Sequence, residues 1–359
     1  MERYNAFIYY YDQDKDDLLL ECIQPLFNAL TPVVEGSFFV RHWLRGPHIR
    51  LCLQTGDRAF REVVKPMIEE RVGAYLRAHP SLRMLDEQKL APTYRNLARL
   101  EQEPGPLFPL APDNTICYPP YDRRLHVLKS ELLAEIIERF YIETTALAFE
   151  MLDAVRQGQD RLLLGLDLMF TTAHMTAWPI TRGFISYRSH AESFISKSPN
   201  PPGIREVFER KYTPHAQALA ARLKQVLATL DQQRPTLPFV LEWAALVKRY
   251  WSSAVPLIEA NRLALMPEEQ GSEEHYRQRR EYSLFHTRFF AMSESRERLY
   301  ADPAFQGYRL ALNLLYLHLN RLGIRALDRA LLGHLAANTV EAVFSLSAVD
   351  LIQQESVAE

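Results

Sequence analysis

Apolar residues recur at helical spacing in segment after segment between residues 129 and 344, whereas residues 6–54 carry short β-forming runs with one helical stretch between them. Lys129 to Arg156 is the longest stripe, with Leu132, Leu133, Ile136, Ile137, Phe140, Leu147, Met151 and Leu152 on one face and Gly158 beyond its end. Asp160 to Trp178 predicts a helix stopped by Pro179. Thr213-Pro214 predicts an N-cap with proline at the first helical position, leading a face of Leu219, Leu223, Val226, Leu227 and Leu230. Further helices are expected over Phe239–Leu263, from Asp302-Pro303 to Leu322 with Gly323 as its stop, and over Leu327–Phe344. No strand–helix–strand alternation interrupts them. The expected fold class is therefore α+β, helix-dominated with a mainly antiparallel N-terminal sheet.

The N-terminal part predicts a strand at Ala6–Tyr11, a helix over Asp16–Leu30, a hairpin over Ser37–Gln54 and a helix over Arg58–Ala78. Six prolines between residues 102 and 121 (104, 106, 109, 112, 119 and 120) leave no room for a regular element. The chain divides accordingly into residues 1–103, a Pro-rich connection at 104–121 and a helical part at 122–359, together expected to form one compact catalytic unit. Residues 197–203 predict a loop, and the polar stretch 266–282 an exposed loop or solvated helix.

Charge and motif searches remove several classes of function. Lys plus Arg is 42 and Asp plus Glu 44, a net charge of −2, where a general nucleic-acid binder needs a basic surplus. No apolar run approaches the roughly 18 residues that span a bilayer. Asp12, Asp14, Asp16 and Asp17 follow the first apolar run too soon for a signal peptide. Three scattered cysteines, Cys22, Cys52 and Cys117, suit a reducing cytoplasm rather than a disulfide framework or zinc site. Dinucleotide, P-loop, His-Glu-x-x-His and nucleophile-elbow patterns are missing. Chemistry by side chains alone is expected, with no cofactor and no metal.

Three constellations remain. A four-residue turn at 44–47 would pair Trp43 with His48, Arg41 with Arg50 and Phe39 with Cys52. It would place Phe38, Val40, Ile49, Leu51 and Leu53 on the core face, and Arg41, Trp43, His48 and Arg50 on the other. Facing arginines repel, so the pair calls for a carboxylate partner or an anionic ligand, with Trp43 as a packing wall. In the second constellation, 184–192, Ser189 and Glu192 fit a capping box. Tyr187, Arg188 and His190 are left at that helix start, suited either to acid and oxyanion duties or to local hydrogen bonds. In the third, His318 lies one turn before Arg321, whose charge disfavours the imidazolium. Asn313, Tyr316 and Asn320 form a neighbouring stripe.

The three segments together carry a family resemblance, and two of them match its motifs. Phe38-Phe39-Val40-Arg41-His42-Trp43-Leu44-Arg45-Gly46-Pro47-His48-Ile49-Arg50-Leu51 resembles the Phe-Phe-x-Arg…Gly-Pro-His-x-Arg signature of the C-terminal domain of lantibiotic dehydratases and of stand-alone thiopeptide-type bacteriocin biosynthesis proteins. His318-Leu319-Asn320-Arg321-Leu322 resembles that family's His-x-Asn-Arg-Leu segment. The resemblance implies work on a ribosomally made precursor peptide, leader and modified core, with other enzymes of the same pathway, and no nucleic acid or membrane partner. It implies either a formal aza-[4+2] cycloaddition between two dehydroalanines or elimination of glutamate from glutamylated Ser or Thr. A non-catalytic peptide-binding protein is the third reading. Arg50 and His318 match the elimination residues, as holder of the leaving carboxylate and as acid or base. Tyr187 and His190 complete the expected catalytic set, with Arg41, Trp43, His48, Arg188, Asn320 and Arg321 expected around the substrate. The elimination members carry Tyr-x-x-Glu-x-x-Arg-Tyr-Gly-Gly where this chain has Tyr121-Asp-Arg-Arg-Leu-His-Val127-Leu128-Lys129-Ser130. Loss of that arginine favours cycloaddition, which needs orientation more than acid–base power. Retained His318 favours elimination, and Arg123 or Arg124 stands ready as a substitute arginine.

Overall fold

The computed structural model describes residues 2–176, 178–263, 265 and 273–357. It forms two compact units. One comprises Met1–Gln159 with Asn320–Gly323, the other Asp160–Leu319 with Ile324–Glu359. The division falls at 159/160, not at the Pro-rich connection. That connection is fastened inside the first unit: Ala111 N–H donates to Arg45 O at 2.8 Å, and Asn5 Nδ2 donates to Pro120 O at 3.0 Å.

The first unit is built on a four-stranded antiparallel sheet in the order β2 (Gly36–His42), β3 (His48–Thr55), β1 (Glu2–Tyr9), β4 (Thr115–Cys117). β4 lies within the Pro-rich stretch, where no element was expected. One face carries Ala6, Ile8, Phe39, Ile49, Leu51 and Leu53, all essentially inaccessible. The helical residues Leu19, Leu26, Leu30, Val64, Ile68 and Val72 are buried with them in this unit, and Phe149 packs on Phe39 at 5.1 Å.

The hairpin register differs by one residue from the sequence expectation. Val40 faces Arg50 and His42 faces His48, so the connection is five residues long, 43–47. Arg45 and Gly46 both adopt left-handed backbone (φ 58° and 115°), and this takes up the extra residue. A one-residue slip moves alternate side chains to the opposite face. Phe38 and Val40 therefore share a face with Arg50, and Arg41 joins the core side.

This register makes a pair of substitutions informative. V40D places a carboxylate directly opposite Arg50, where it acts as an internal counter-ion. The protein should stay folded and lose affinity for its substrate. L51D puts an unpaired charge into a closed core at a cost of at least about 4 kcal/mol, and should unfold the first unit. Thermal melts together with binding measurements separate the two outcomes.

The expected single helix from Lys129 to Arg156 is two, Glu131–Glu143 and Thr145–Arg156. They part where the Arg321 guanidinium intrudes. It donates to Tyr141 O at 3.2 Å, Thr144 Oγ1 at 2.8 Å and Thr145 Oγ1 at 3.0 Å. Diversion of backbone and hydroxyl acceptors in this way is a known cause of helix breaks. Two further helices were not anticipated in this unit: Leu125–Leu128, and Glu87–Glu101, capped by Asp86 accepting from Gln88 N and Lys89 N.

Every regular element among the described residues of the second unit is a helix. The helix expected over Asp160–Trp178 is Arg161–His174, capped by Asp160 and ending before Trp178. Pro201–Tyr212 occupies part of the expected loop, with Asn200 as its cap. Thr213 is not a cap, because its hydroxyl donates back to Glu209 O at 2.9 Å and a short turn carries the chain into Ala216–Gln232. Val240–Glu259, Pro303–Arg321 and Ala326–Phe344 match the remaining expectations closely. Of the polar stretch 266–282, residues 266–272 lie outside the described residues and Glu273–Tyr282 is a helix, followed by Leu284–Ala291 and Ser293–Ala301. No described helix is long and apolar enough to cross a membrane.

Candidate functional site

The first unit gathers its polar chemistry on the sheet face opposite the core. Arg50 stands at the middle of β3, across from Val40 on one side and Phe7 on the other. Its Nε–H donates to His48 Nε2 at 3.0 Å and its Nη2 to His42 Nδ1 at 2.7 Å. The guanidinium lies 4.6 Å over the Phe7 ring. No carboxylate comes within ion-pair distance of it among the described residues. A positive charge held only by neutral acceptors and an aromatic face keeps its attraction for an external anion or carbonyl oxygen.

These contacts fix both imidazoles. His48 accepts at Nε2, so its hydrogen is on Nδ1, which donates to Gly46 O at 2.8 Å. His42 accepts at Nδ1 from Arg50 and from Leu44 N, so its hydrogen is on Nε2. Burial holds both rings well below the ordinary histidine pKa. The Arg50 and Arg124 guanidiniums add to this at His42, and His42 and Arg50 add to it at His48. Glu103 lies 3.7 Å from His42 Nε2, but Arg124 already sits 3.0 Å from the same carboxylate oxygen and takes up its charge. Phe7 and Tyr9 pack on His48 at 4.9 and 4.7 Å, and Trp43 stacks on His42 at 5.7 Å. Trp43 is thus the wall of this cluster, with Tyr94 edge-on behind it at 5.0 Å.

His42, Glu101 and Glu103 bring their potential ligand atoms within 4.8 Å of one another. A cation there would have to compete with Arg124 for Glu103, and Arg50 adds its own positive field. The trio reads as an ion-pair network rather than a metal centre.

The other expected residues of this unit have partners within the protein. Arg41 is anchored by Asp16 at 2.6 Å and by Arg321 O at 2.9 Å. Arg321 is fully buried against the Phe39 and Tyr141 rings at 4.9 and 5.5 Å, and burial lowers its pKa to about 9. Asn320 is half-buried and its carbonyl accepts from Gly323 N at 2.9 Å. Arg123 is bound to Glu138 at 2.9 Å, as is the Tyr121 hydroxyl, so Arg124 is the arginine that reaches the Arg50 cluster. It does so from a left-handed backbone, φ 55°. Lys129 is left-handed too (φ 56°), a conformation glycine adopts at lower cost, in the place of the first motif glycine.

The second unit holds the remaining four. Tyr187 is fully buried and its hydroxyl donates to Met169 O at 2.6 Å. Arg188 is held by Asn338 Oδ1 at 2.6 Å and by Glu341. Ser189 and Glu192 lie inside the helix Ile185–Ser196 and form no capping box. Glu192 instead receives both Arg205 terminal nitrogens at 2.6 and 2.7 Å, and Ser189 Oγ meets His286 Nε2 at 3.2 Å. His190, exposed on the same helix, joins its Nδ1 to the Tyr316 hydroxyl at 2.7 Å. His318 is fully buried, 4.9 Å from the Trp243 ring, whose Nε1 donates to Thr172 Oγ1 at 2.9 Å.

His42 and His286 thus stand beside residues of the expected set without having been expected there, and of the two arginines 123 and 124 it is Arg124 that does so. His42 was hidden by the hairpin slip, and His286 carried no local signal at all.

Comparison with known proteins supplies the family. The model for the lantibiotic biosynthesis dehydratase C-terminal domain matches residues 5–340. The chain belongs to that family. Among solved structures, this family member is similar to the pyridine synthase TbtD from thiomuracin biosynthesis, with 29% identity and a TM-score of 0.80 over 97% of this chain and 100% of that one. It shares its fold with TsrL, at 21% identity and a TM-score of 0.72 over 99% and 98% of the two chains. No curated protein sequence matches it.

Proposed function

We propose that this family member is a maturation enzyme for ribosomally synthesised, modified peptides, and that it joins two dehydroalanines of a precursor by a formal aza-[4+2] cycloaddition. The observation that carries the reading is Arg50. It is a guanidinium without a carboxylate partner, oriented by two neutral imidazoles on the motif hairpin. Full-length similarity to a pyridine synthase supports the choice of reaction. In the proposed step an amide of one dehydroalanine gives its N–H proton to solvent, Arg50 donates to the imidate oxygen that develops and lowers its cost, and the oxygen regains a proton as the ring closes, while Phe7, Tyr9 and Trp43 offer apolar surface to the alkenes. Loss of that oxygen as water and of the amide substituent on the second dehydroalanine then leaves the pyridine. The substrate already holds its reactive double bonds, so no strong base is required of the protein. Other enzymes of the pathway supply the dehydrated peptide.

Glutamate elimination is the second reading, and Arg124 is the observation that favours it. It offers a second guanidinium near Arg50, although Glu103 already occupies it. Mass spectrometry under single-turnover conditions tests the choice. A precursor with two dehydroalanines should be converted to a product absorbing as a pyridine, and its glutamylated counterpart should be returned unchanged. Release of free glutamate from the latter would overturn the cycloaddition reading. Binding of both peptides without conversion would leave only a peptide-binding role.

A further inference from the structure

The helix Glu273–Tyr282 lies against Ile185–Ser196 and Leu284–Ala291 in the second unit. It buries Arg279 to 9% exposure, and the side chain of this arginine forms no hydrogen bond or ion pair among the described residues. Its Nε is enclosed without an acceptor. Next to it, His286 is 1% exposed; its Nε2 meets Ser189 Oγ at 3.2 Å and its Nδ1 has no partner. In either tautomer the His286 Nδ1 is left without a partner, beside an enclosed Arg279 N–H that lacks an acceptor, and such groups are costly to leave unsatisfied. A carboxylate would satisfy the guanidinium and accept from Nδ1–H with the Ser189 hydroxyl donating to Nε2. Glu192, the carboxylate of this neighbourhood, is taken by Arg205 and by the Ser283 hydroxyl. Arg309, Arg329 and Lys197 add to the positive field felt at His190. A neutral carbonyl would satisfy a donor but leave the charge standing, whereas an anion does both.

We propose that Arg279 and His286 form a carboxylate-binding site that holds an acidic side chain of the peptide substrate. The nature of the ligand rests on the peptide-maturation reading, but the site itself rests on the unsatisfied nitrogens. The test is fluorescence anisotropy of the full-length protein with a fluorescein-labelled Glu-Glu-Glu-Glu-Gly-Gly peptide, which contains no dehydroalanine and so reports on binding whatever the reaction proves to be. R279Q should weaken binding at least about tenfold, the loss of one charge-assisted contact, while R279K should retain most of it and H286A should weaken it by a smaller factor. The Gln-Gln-Gln-Gln-Gly-Gly peptide should not bind. Equal affinity of R279Q and the wild type, or equal binding of the two peptides, overturns the site. Should R279Q fail to fold, glutarate titrated into the wild-type protein gives the answer: a saturable shift of the His286 ring nitrogens supports the site, and an unmoved ring overturns it.

Discussion

Replacing Arg50 by glutamine is expected to lower kcat/KM on a dehydrated precursor by about 10²–10³-fold, the usual cost of removing one preorganised donor from a developing oxyanion. The fold should survive. The neighbours that lose Arg50 are two neutral imidazoles, and each keeps another bond, His42 from Leu44 N and His48 to Gly46 O. The melting temperature should therefore fall by only a few degrees. R50K keeps the charge but cannot satisfy two imidazoles in one plane, so it should recover little of the activity. Steady-state kinetics with thermal melts check this. An R50Q enzyme with wild-type turnover would remove Arg50 from the site, whereas loss of activity together with loss of fold would assign it to structure.

The second large effect is acid sensitivity. His42 and His48 are held well below their unfolded value of 6.5, so in moderate acid the unfolded chain binds two protons that the folded first unit does not. Stability then rises with pH. It is complete above about pH 6.5 and is lost as pH falls, with a slope approaching about 2.7 kcal/mol per pH unit for the two groups together. In the second unit, burial pushes His286 down to about 3 and His334 to about 4, which adds the same trend there. Urea unfolding at pH 7.5, 6.5 and 5.5, followed through Trp43 in a variant lacking the other tryptophans, measures the first unit. A midpoint independent of pH in that range would mean that the two imidazoles titrate normally. Activity of the folded enzyme should hold through that range, because neither imidazole is protonated until well below pH 6.5, where it can no longer accept from Arg50.

The site was legible in the sequence where the information is local. Gly46-Pro47 announced the hairpin and the motif around it announced Arg50. Alternation about a four-residue turn places Arg41 beside Arg50, but two left-handed residues make the turn five, so Arg41 and His42 exchange faces. The break at Thr144 was not readable, because the group that causes it, Arg321, comes from 177 residues further along the chain. The Ser189–Glu192 capping pattern failed for a similar reason. The preceding helical turn Ile180–Gly183 leads directly into Ile185–Ser196, and Arg205 takes the carboxylate a cap would use. Tyr187 and Arg188 were sound as polar residues without a local partner; their partners, Met169 O and Glu341, are supplied by distant helices.

At the centre of the proposed chemistry is an arginine oriented by two neutral histidines and left free for substrate. Nitrogen-15 NMR of the ring nitrogens at pH 6.0 tests it most directly. His42 should carry its hydrogen on Nε2 and His48 on Nδ1, neither should be an imidazolium, and both rings should shift when a dehydroalanine-containing precursor binds the wild type but not R50Q. Imidazolium signals at that pH, or rings that ignore the peptide, would contradict the account.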